Sequence, residues 1–246
     1  MERFSGTLAV VTGSSVGIGA AVAKSLLERG LIVAGLARRE DKLKQFKDEL
    51  DELGFKDKFF PIKCDVTVEQ DVIRAFDEIT NKIGKITILI NNAGVCSHVP
   101  IHDAKSEDID SVFNTNVKGI ILCARQAIKI MRKNSTEGHI VNLCSVAGAP
   151  GWIYQVPIGL YSSSKHAVRI ISNGLRREMI LEKTKIKVSN ISPGFAETEM
   201  TAGFIPEGPL KRVDVQDIAN VVISVLDTPP GVVIPEVTVL PLHEMV

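Results

Sequence analysis

One stretch near the start of the chain decides the fold: Leu8-Ala9-Val10-Val11-Thr12-Gly13-Ser14-Ser15-Val16-Gly17-Ile18-Gly19. Its apolar first part predicts a strand, and an amphipathic helix is predicted from about Ala20 to Arg29, ended by Gly30. A second apolar run, residues 31–36, completes a β-α-β unit. The glycines allow a tight turn, so the free N–H groups at the helix start can hold a pyrophosphate. A glycine-rich loop that binds nothing is the alternative.

The rest of the chain repeats this alternation of strand and helix. Apolar runs predict strands at residues 59–64, 86–90, 139–143, 186–191 and 237–240. Amphipathic or charged runs predict helices at residues 41–53, 69–83, 106–133, 161–181 and 215–226. The pattern predicts an α/β protein, a doubly wound Rossmann-type parallel sheet of about seven strands with helices on both faces. Because 246 residues suffice for one large domain, we expect residues 1–246 to form a single domain.

The composition excludes several classes of function. Lys plus Arg and Asp plus Glu number 29 each, so there is no basic excess that would release counterions from nucleic acid. No run approaches the roughly 18 unbroken apolar residues that a membrane span needs. The first apolar run starts too close to Met1 to leave room for a signal peptide, and the last residues match no targeting signal. We therefore expect a cytoplasmic protein.

The cysteines carry no metal-binding or disulfide pattern. Cys64, Cys96, Cys123 and Cys144 are widely spaced, and each lies in an apolar run. They form no Cys-x-x-Cys pair, and no histidine cluster accompanies them, so we expect neither a metal site nor a disulfide framework. The prediction is four buried free thiols in a reducing compartment.

A second stretch supplies candidate catalytic groups, Gly159-Leu160-Tyr161-Ser162-Ser163-Ser164-Lys165-His166-Ala167. It is predicted to open a long helix, and residues at i and i+4 share one helical face, so Tyr161 and Lys165 lie side by side. An ammonium beside a phenol favours the phenolate and lowers the pKa of the tyrosine, which then exchanges protons near neutral pH. The same spacing also occurs by chance on solvated helix faces.

Several motifs together resemble the short-chain dehydrogenase/reductase family in its compact form. They are the spacing Gly-x-x-x-Gly-x-Gly, Thr12 before it, the Tyr161–Lys165 pair, and Asn91-Asn92-Ala93-Gly94 after the fourth strand. A Pro-Gly…Thr segment after the sixth strand, residues 193–198, also matches. The resemblance spans nearly the whole chain. It implies a dinucleotide-binding and catalytic domain that transfers a hydride between a nicotinamide and an alcohol/carbonyl pair.

The end of the second strand indicates which nicotinamide cofactor binds. An acidic residue there would bind the ribose of NAD, whereas this chain has Ala37-Arg38-Arg39. Two guanidinium groups suit a 2′-phosphate and favour NADP(H), although the same arginines can simply begin a charged helix. The cofactor-binding residues that the resemblance implies are Gly13, Ser15, Gly17, Ile18, Gly19, Arg38, Arg39, Asp65, Val66, Asn92, Ala93, Gly94, Tyr161, Lys165, Pro193, Gly194 and Thr198.

The resemblance also implies the catalytic roles. Tyr161 would be the general acid/base, and Ser145 would orient the substrate oxygen. Lys165 would bind the nicotinamide ribose and lower the pKa of the tyrosine. Asn116, within the predicted helix 106–133, would hold a water against that lysine. The alternatives from other classes are a silent NADP(H)-binding sensor or scaffold, which usually lacks the tyrosine or lysine, and a nucleotide-sugar epimerase or dehydratase, which is generally longer.

The gap between Ser145 and Tyr161 is longer than is usual in the family, and its extra residues should lie beside the substrate. The resemblance implies a substrate lid at about residues 195–213. It places the substrate at Ser145, Trp152, Tyr154, Tyr161 and Phe195. Tyr154 is a rival for the catalytic tyrosine, but Ile158 stands where a lysine partner would be needed.

The predicted pocket wall is mostly apolar, which favours a lipophilic alcohol or carbonyl compound as substrate. The chain resembles animal, particularly insect, farnesol-dehydrogenase-like and steroid-reductase-like members of the family. The resemblance therefore leaves three substrate classes open: farnesol-type isoprenoids, juvenile-hormone-related alcohols and ketosteroids. It also implies a homodimer or homotetramer, with the predicted helices 106–133 and 161–181 at the interface.

Overall fold

The computed structural model describes residues 1–134, 137–150, 156–202 and 212–242. Its strands are β1 (Leu8–Thr12), β2 (Ile32–Ala37), β3 (Phe59–Lys63), β4 (Ile86–Asn91), β5 (Gly138–Leu143), β6 (Ile186–Pro193) and β7 (Glu236–Val239). Its helices are α1 (Gly17–Glu28), α2 (Glu40–Glu52), α3 (Glu69–Lys82), α4 (Ser106–Phe113), α5 (Gly119–Lys133), α6 (Gly159–Leu181) and α7 (Val215–Leu226). A π-helical turn, Asn114–Lys118, joins α4 to α5.

The described strands form a parallel seven-stranded sheet in the order β3-β2-β1-β4-β5-β6-β7. The predicted α/β fold class is thereby confirmed. The chain runs outward from β1 to β3 and then returns to β4 on the other side of β1. In open α/β sheets, ligands bind beyond the carboxyl ends of the strands at such a reversal of strand order. The turns after β1 and β4 lie at this position.

Two apolar clusters cover the sheet, one on each face. Ala9 and Val11 of β1 pack with side chains of α1 and α7, whereas Leu8 and Val10 pack with side chains of α3 and α5. Alternate side chains of a strand point to opposite faces, so both faces of β1 are covered. The whole of β1 is buried, as expected for a parallel strand between two helical layers.

The structure shifts several of the predicted boundaries. Helix α1 begins at Gly17 rather than at Ala20, so the glycine-rich turn supplies the first helical residues. Strand β6 continues to Pro193 because its last residues pair with β7. The helix predicted over residues 106–133 is interrupted by the π turn at Asn114–Lys118, which places one more residue in that turn than an α-helix would hold.

Three of the four cysteines are buried as predicted, and all four are free thiols. Cys96 is only half-buried, so the prediction is wrong for this residue. It lies in the loop after β4, whose apolar side chains line a cavity rather than the core. Burial still raises the pKa of Cys96 to about 11, which keeps its thiol protonated and weakly nucleophilic.

Neither a membrane span nor a metal cluster is found in the part of the chain that the structure describes. No helix there is both long and apolar enough to cross a bilayer. No group of three or more His, Cys, Asp or Glu side chains there could hold a metal ion.

Candidate active site

The glycine-rich turn after β1 is tied to the turn after β4 by side-chain hydrogen bonds. The hydroxyl oxygen of Thr12 accepts hydrogen bonds from the backbone N–H groups of Asn92 and Ala93, each over 3.0 Å. In return, the Asn92 amide donates to the backbone oxygens of Thr12 and Gly13, over 3.0 and 3.1 Å. Thr12 and the Asn-Asn-Ala-Gly segment, which are far apart in the sequence, are therefore in direct contact in the fold. They hold the two turns in a fixed geometry at the point where the strand order reverses.

Glycine is required in this turn by close contacts. A Cβ atom on Gly19 would lie 2.2 Å from the backbone oxygen of Gly13. Gly13 has a φ of +65°, and its own Cβ would lie 2.9 Å from the Cα of Ala93. Gly17, with a φ of +58°, opens helix α1, whose N-terminus is capped by no side chain. The first N–H groups of an α-helix have no partner within the helix, so this turn can bind an anionic group.

A cavity of about 560 Å³ extends from this turn to the start of α6. All the predicted cofactor-binding residues line it except Gly19 and Gly194. Those that line it are Gly13, Ser15, Gly17, Ile18, Arg38, Arg39, Asp65, Val66, Asn92, Ala93, Gly94, Tyr161, Lys165, Pro193 and Thr198. Gly19 instead packs beneath the turn, and the backbone N–H of Gly194 donates to the oxygen of Val239 in β7. The structure therefore gathers residues from six separate segments of the chain around one cavity.

Lys165 is buried at the inner end of the cavity, with 4% of its surface exposed. Its Nζ atom donates a hydrogen bond to the backbone oxygen of Leu143 over 2.8 Å and lies 5.6 Å from the centre of the Tyr161 ring. Burial lowers the pKa of Lys165 from its ordinary value, because the charged form loses its hydration. The lysine and the tyrosine thus share one face of α6, as the spacing predicted.

Asn116 is fully buried in the π turn between α4 and α5. Its side-chain oxygen accepts from the backbone N–H of Val95, and its Nδ2 donates to the oxygen of Val95, both over 2.8 Å. The same Nδ2 also donates to the Ser164 hydroxyl over 3.0 Å. Asn116 therefore connects the loop after β4 to the first turns of α6, next to Lys165.

Ser145 lies just beyond the end of β5. Its hydroxyl oxygen accepts a hydrogen bond from the backbone N–H of Ala147 over 3.1 Å and caps a short 3₁₀ turn, Val146–Gly148. This turn packs tightly on α6, since a Cβ on Gly148 would lie 2.7 Å from the backbone oxygen of Lys165. The Cys144 thiol donates to that oxygen over 3.1 Å. The contact brings the loop that carries Ser145 against the turn of α6 that carries the lysine.

The arginines after β2 are exposed at the other end of the cavity. The Nη2 atom of Arg39 lies 2.8 Å from Oε2 of Glu199, which belongs to the segment after β6. Sequence reasoning missed Glu199, and it also missed His98 and Met200 as lining residues. The sequence did offer one indication that Glu199 lines the cavity, because it directly follows Thr198, a predicted cofactor-binding residue. Its ion pair with Arg39 could not be predicted, because the two residues are far apart in the sequence and no local pattern connects them.

Several residues that were predicted to contact the substrate lie outside the described residues. They are Trp152, Tyr154 and residues 203–211 of the predicted lid. The two ends of that lid are described and held together by a bridge between Ala196 and Val213. Phe195 is half-buried and does not line the cavity, although its backbone oxygen accepts from the N–H of Val213 over 2.9 Å.

Comparisons with known proteins give consistent matches over nearly the whole chain. The family model for short chain dehydrogenases matches residues 7–207. Farnesol dehydrogenase of Aedes aegypti is 38% identical over 246 residues, which cover 99% of each chain. Dehydrogenase/reductase SDR family member 11 of Gallus gallus is 34% identical over 255 residues, which cover 100% of each chain. The solved structure of an actinorhodin polyketide ketoreductase with NADPH has a TM-score of 0.86 at 27% identity, covering 96% of both chains.

Proposed function

Because this chain belongs to the short-chain dehydrogenase family, an oxidoreductase family, we propose that it interconverts a lipophilic alcohol and its carbonyl compound with NADP(H). One observation carries the proposal. A single cavity has the glycine-rich turn and two arginines at one end, and Tyr161 with Lys165 at the other. The first end suits a dinucleotide, and the second suits proton transfer to a substrate oxygen.

The residues present fit an NADP(H) molecule. Close packing at Gly13 and Gly19 keeps the turn free of side chains, and the uncapped start of α1 offers N–H groups to a pyrophosphate. Arg38 and Arg39 would hold the 2′-phosphate, and no acidic residue ends β2 to bind the ribose of NAD instead. The ketoreductase neighbour solved with NADPH supports this choice. When bound, the nicotinamide supplies or accepts the hydride.

The chain's own residues handle the proton and the substrate oxygen. Tyr161 gives a proton from its phenolic oxygen to the substrate oxygen in reduction and takes it back in oxidation. The Ser145 hydroxyl donates to the same oxygen and orients it. Lys165 holds a positive charge beside the phenol and favours its deprotonated form. Asn116 fixes the loop after β4 against α6 and belongs to the path that returns the proton to solvent.

The lipophilic substrate is supported by the wall of the cavity near Lys165 and by one relative. Val95, Cys96 and Leu143 line this part, and none of their side chains carries a charge. Apolar groups of a substrate would gain free energy by leaving water to pack on these side chains. The relative named farnesol dehydrogenase supports an isoprenoid alcohol such as farnesol, with its aldehyde as the other partner. Juvenile-hormone-related alcohols and ketosteroids share the same apolar character.

A homodimer or homotetramer is proposed from the exposed apolar side chains on α5 and α6. Ile121 is 44% exposed, Ile170 is 68% exposed and Ile180 is 68% exposed. Large apolar side chains exposed on neighbouring helices are typical of a contact surface. A second copy packed on both helices would cover them and would also stiffen the helix that carries Tyr161.

The proposal is tested by turnover of the purified protein with NADPH and with NADH. The substrate panel contains farnesal, a 3-ketosteroid, a 17-ketosteroid and a small diketone. We expect turnover with NADPH and a preference for one of the large apolar carbonyl compounds. Binding of NADPH without turnover of any compound would support the silent sensor or scaffold instead. A clear preference for NADH would contradict the role given to Arg38 and Arg39.

A further inference from the structure

An ion pair connects the two sides of the cavity at its arginine end. Arg39 stands between β2 and α2, and Glu199 stands on the segment after β6, yet their side-chain atoms Nη2 and Oε2 are only 2.8 Å apart. Both residues line the cavity, and their side chains are 47% and 53% exposed. The Glu199 carboxylate therefore already pairs with Arg39, one of the two arginines that could bind a phosphate.

The segment that carries Glu199 is held in position independently of this ion pair. The backbone N–H of Thr198 donates to the Thr201 hydroxyl over 2.9 Å, and that hydroxyl donates to the oxygen of Ala196 over 2.8 Å. The methyl carbon of Thr198 lies 3.4 Å from where a Cβ of Gly17 would be, so the segment passes directly over the glycine-rich turn. The backbone that carries Glu199 is consequently held beside the cavity.

The charged residues next to Arg39 in sequence, Glu40 and Arg38, are not part of its ion pair with Glu199. Glu40, next to Arg39 in sequence, pairs with Lys44 over 2.8 Å. Arg38 also lines the cavity and has no ion-pair partner among the described residues. Of the two arginines, one is thus available to an incoming phosphate, and the other is already bound to a carboxylate.

We propose that Glu199 is a specificity-determining residue that competes with the 2′-phosphate of NADP(H) for Arg39. The inference rests on the NADP(H) assignment made above. A 2′-phosphate that binds Arg39 either displaces the Glu199 carboxylate from the guanidinium or shares the guanidinium with it, and in both cases lies near that negative charge. NAD(H) carries a hydroxyl at this position and meets neither obstacle. Glu199 therefore weakens the binding of NADP(H) but not that of NAD(H), and it reduces the difference in affinity between the two cofactors.

The test measures dissociation constants of NADPH and NADH, from cofactor fluorescence, for the wild type and for Glu199→Gln. An exposed ion pair contributes little, so we expect Glu199→Gln to bind NADPH about two- to fivefold more tightly. NADH binding should stay unchanged. The matched control is Glu197→Gln, which removes the same charge from the same segment but from a pair with Arg212. It should alter neither constant. Equal tightening of both cofactors, or no change for NADPH, would overturn the inference.

Arg39→Ala and the double variant Arg39→Ala/Glu199→Gln separate this inference from the proposed function. We expect Arg39→Ala to weaken NADPH binding and to abolish the gain from Glu199→Gln. If Arg39→Ala weakens NADPH binding but Glu199→Gln has no effect, only the role of Glu199 is overturned. If Arg39→Ala leaves NADPH binding unchanged and the wild type prefers NADH, the NADP(H) assignment fails together with this inference. A gain that persists without Arg39 would also overturn it, since Glu199 would then act through another group.

Discussion

Lys165 and Leu143 are joined by a hydrogen bond of 2.8 Å from the Nζ atom of the lysine to the backbone oxygen at the end of β5. The bond links helix α6, which carries Tyr161, to the strand whose end leads into Ser145. An ammonium of this kind is normally hydrated, but this one is buried, and its pKa is lowered. A lysine kept in such a place is more easily explained by chemistry than by stability.

Replacing Lys165 tests its role at the inner end of the cavity. We expect Lys165→Met to lower kcat/KM by about 10²–10⁴-fold, because the positive charge beside Tyr161 is lost. The fold should be retained, since methionine occupies a similar volume. Steady-state kinetics with NADPH and a thermal unfolding curve provide both measurements. Activity close to that of the wild type in a folded Lys165→Met variant would contradict this role.

Gly19 and Gly174 are both helical glycines, but only Gly19 is closely packed against other backbone atoms. A Cβ on Gly19 would clash with the Gly13 oxygen at 2.2 Å, so Gly19→Ala should cost about 1–3 kcal/mol of stability and weaken NADPH binding. Gly174 lies within α6, and a Cβ added there would meet no atom within 4 Å, so Gly174→Ala should stabilise the protein by about 0.5–1 kcal/mol. Denaturant unfolding and NADPH titration measure both. Equal tolerance of the two substitutions would show that the turn is not tightly packed.

His139 should make the protein sensitive to acid. Its Nε2 lies 2.9 Å from the Ser189 hydroxyl, and its Nδ1 is buried without a hydrogen-bond partner among the described residues. Burial, with nearby Lys187 and Arg3, lowers the pKa of His139 from 6.5 to about 3. Between these values the unfolded chain binds a proton that the folded chain does not, so stability falls as the pH falls from 6.5 to 3.

The slope expected from one such group approaches about 1.4 kcal/mol per pH unit in that range. His139→Gln keeps a donor for Ser189 and removes the titration. We expect it to show a shallower loss of unfolding free energy between pH 6.5 and pH 4, measured by urea unfolding at several pH values. The prediction fails if the variant and the wild type lose stability in parallel.

Two helical serines with the same local hydrogen bond should respond differently to alanine. Ser172 donates to the oxygen of Val168 over 2.8 Å, and Ser224 donates to the oxygen of Asn220 over 2.9 Å. Ser172 is buried and also accepts from the Asn142 amide, whereas Ser224 is exposed. We expect Ser172→Ala to cost about 1–3 kcal/mol because the buried amide loses its acceptor. Ser224→Ala should cost little, and equal unfolding free energies would refute the explanation.

The order of the elements could be predicted because each signal is local. Buried parallel strands are continuous apolar runs, as in β1 and β4, and the glycine-rich turn directly after β1 is visible in consecutive residues. The spacing of Tyr161 and Lys165 likewise needed only the geometry of one helix. These features are written in consecutive residues, so the sequence alone was sufficient for them.

The remaining features depend on residues that meet only in the folded chain. The pairing of Arg39 with Glu199 joins the segments that follow β2 and β6, and the half-exposure of Cys96 follows from the cavity beside it. The π turn around Asn116 is stabilised by Val95 and Ser164, which lie on other segments. Because no local periodicity encodes such contacts, they could not be read from the sequence.

The most direct test of the central claim is the activity of Tyr161→Phe beside that of Tyr154→Phe. The chain has two tyrosines, so the pair covers every phenol that could act as general acid. We expect Tyr161→Phe to weaken NADPH binding by no more than about tenfold, the effect of one lost hydrogen bond, and to lose kcat/KM on the preferred carbonyl substrate by about 10²-fold or more. Tyr154→Phe should keep proton transfer intact. Substantial turnover by Tyr161→Phe, or its loss only in Tyr154→Phe, would contradict the account of this site.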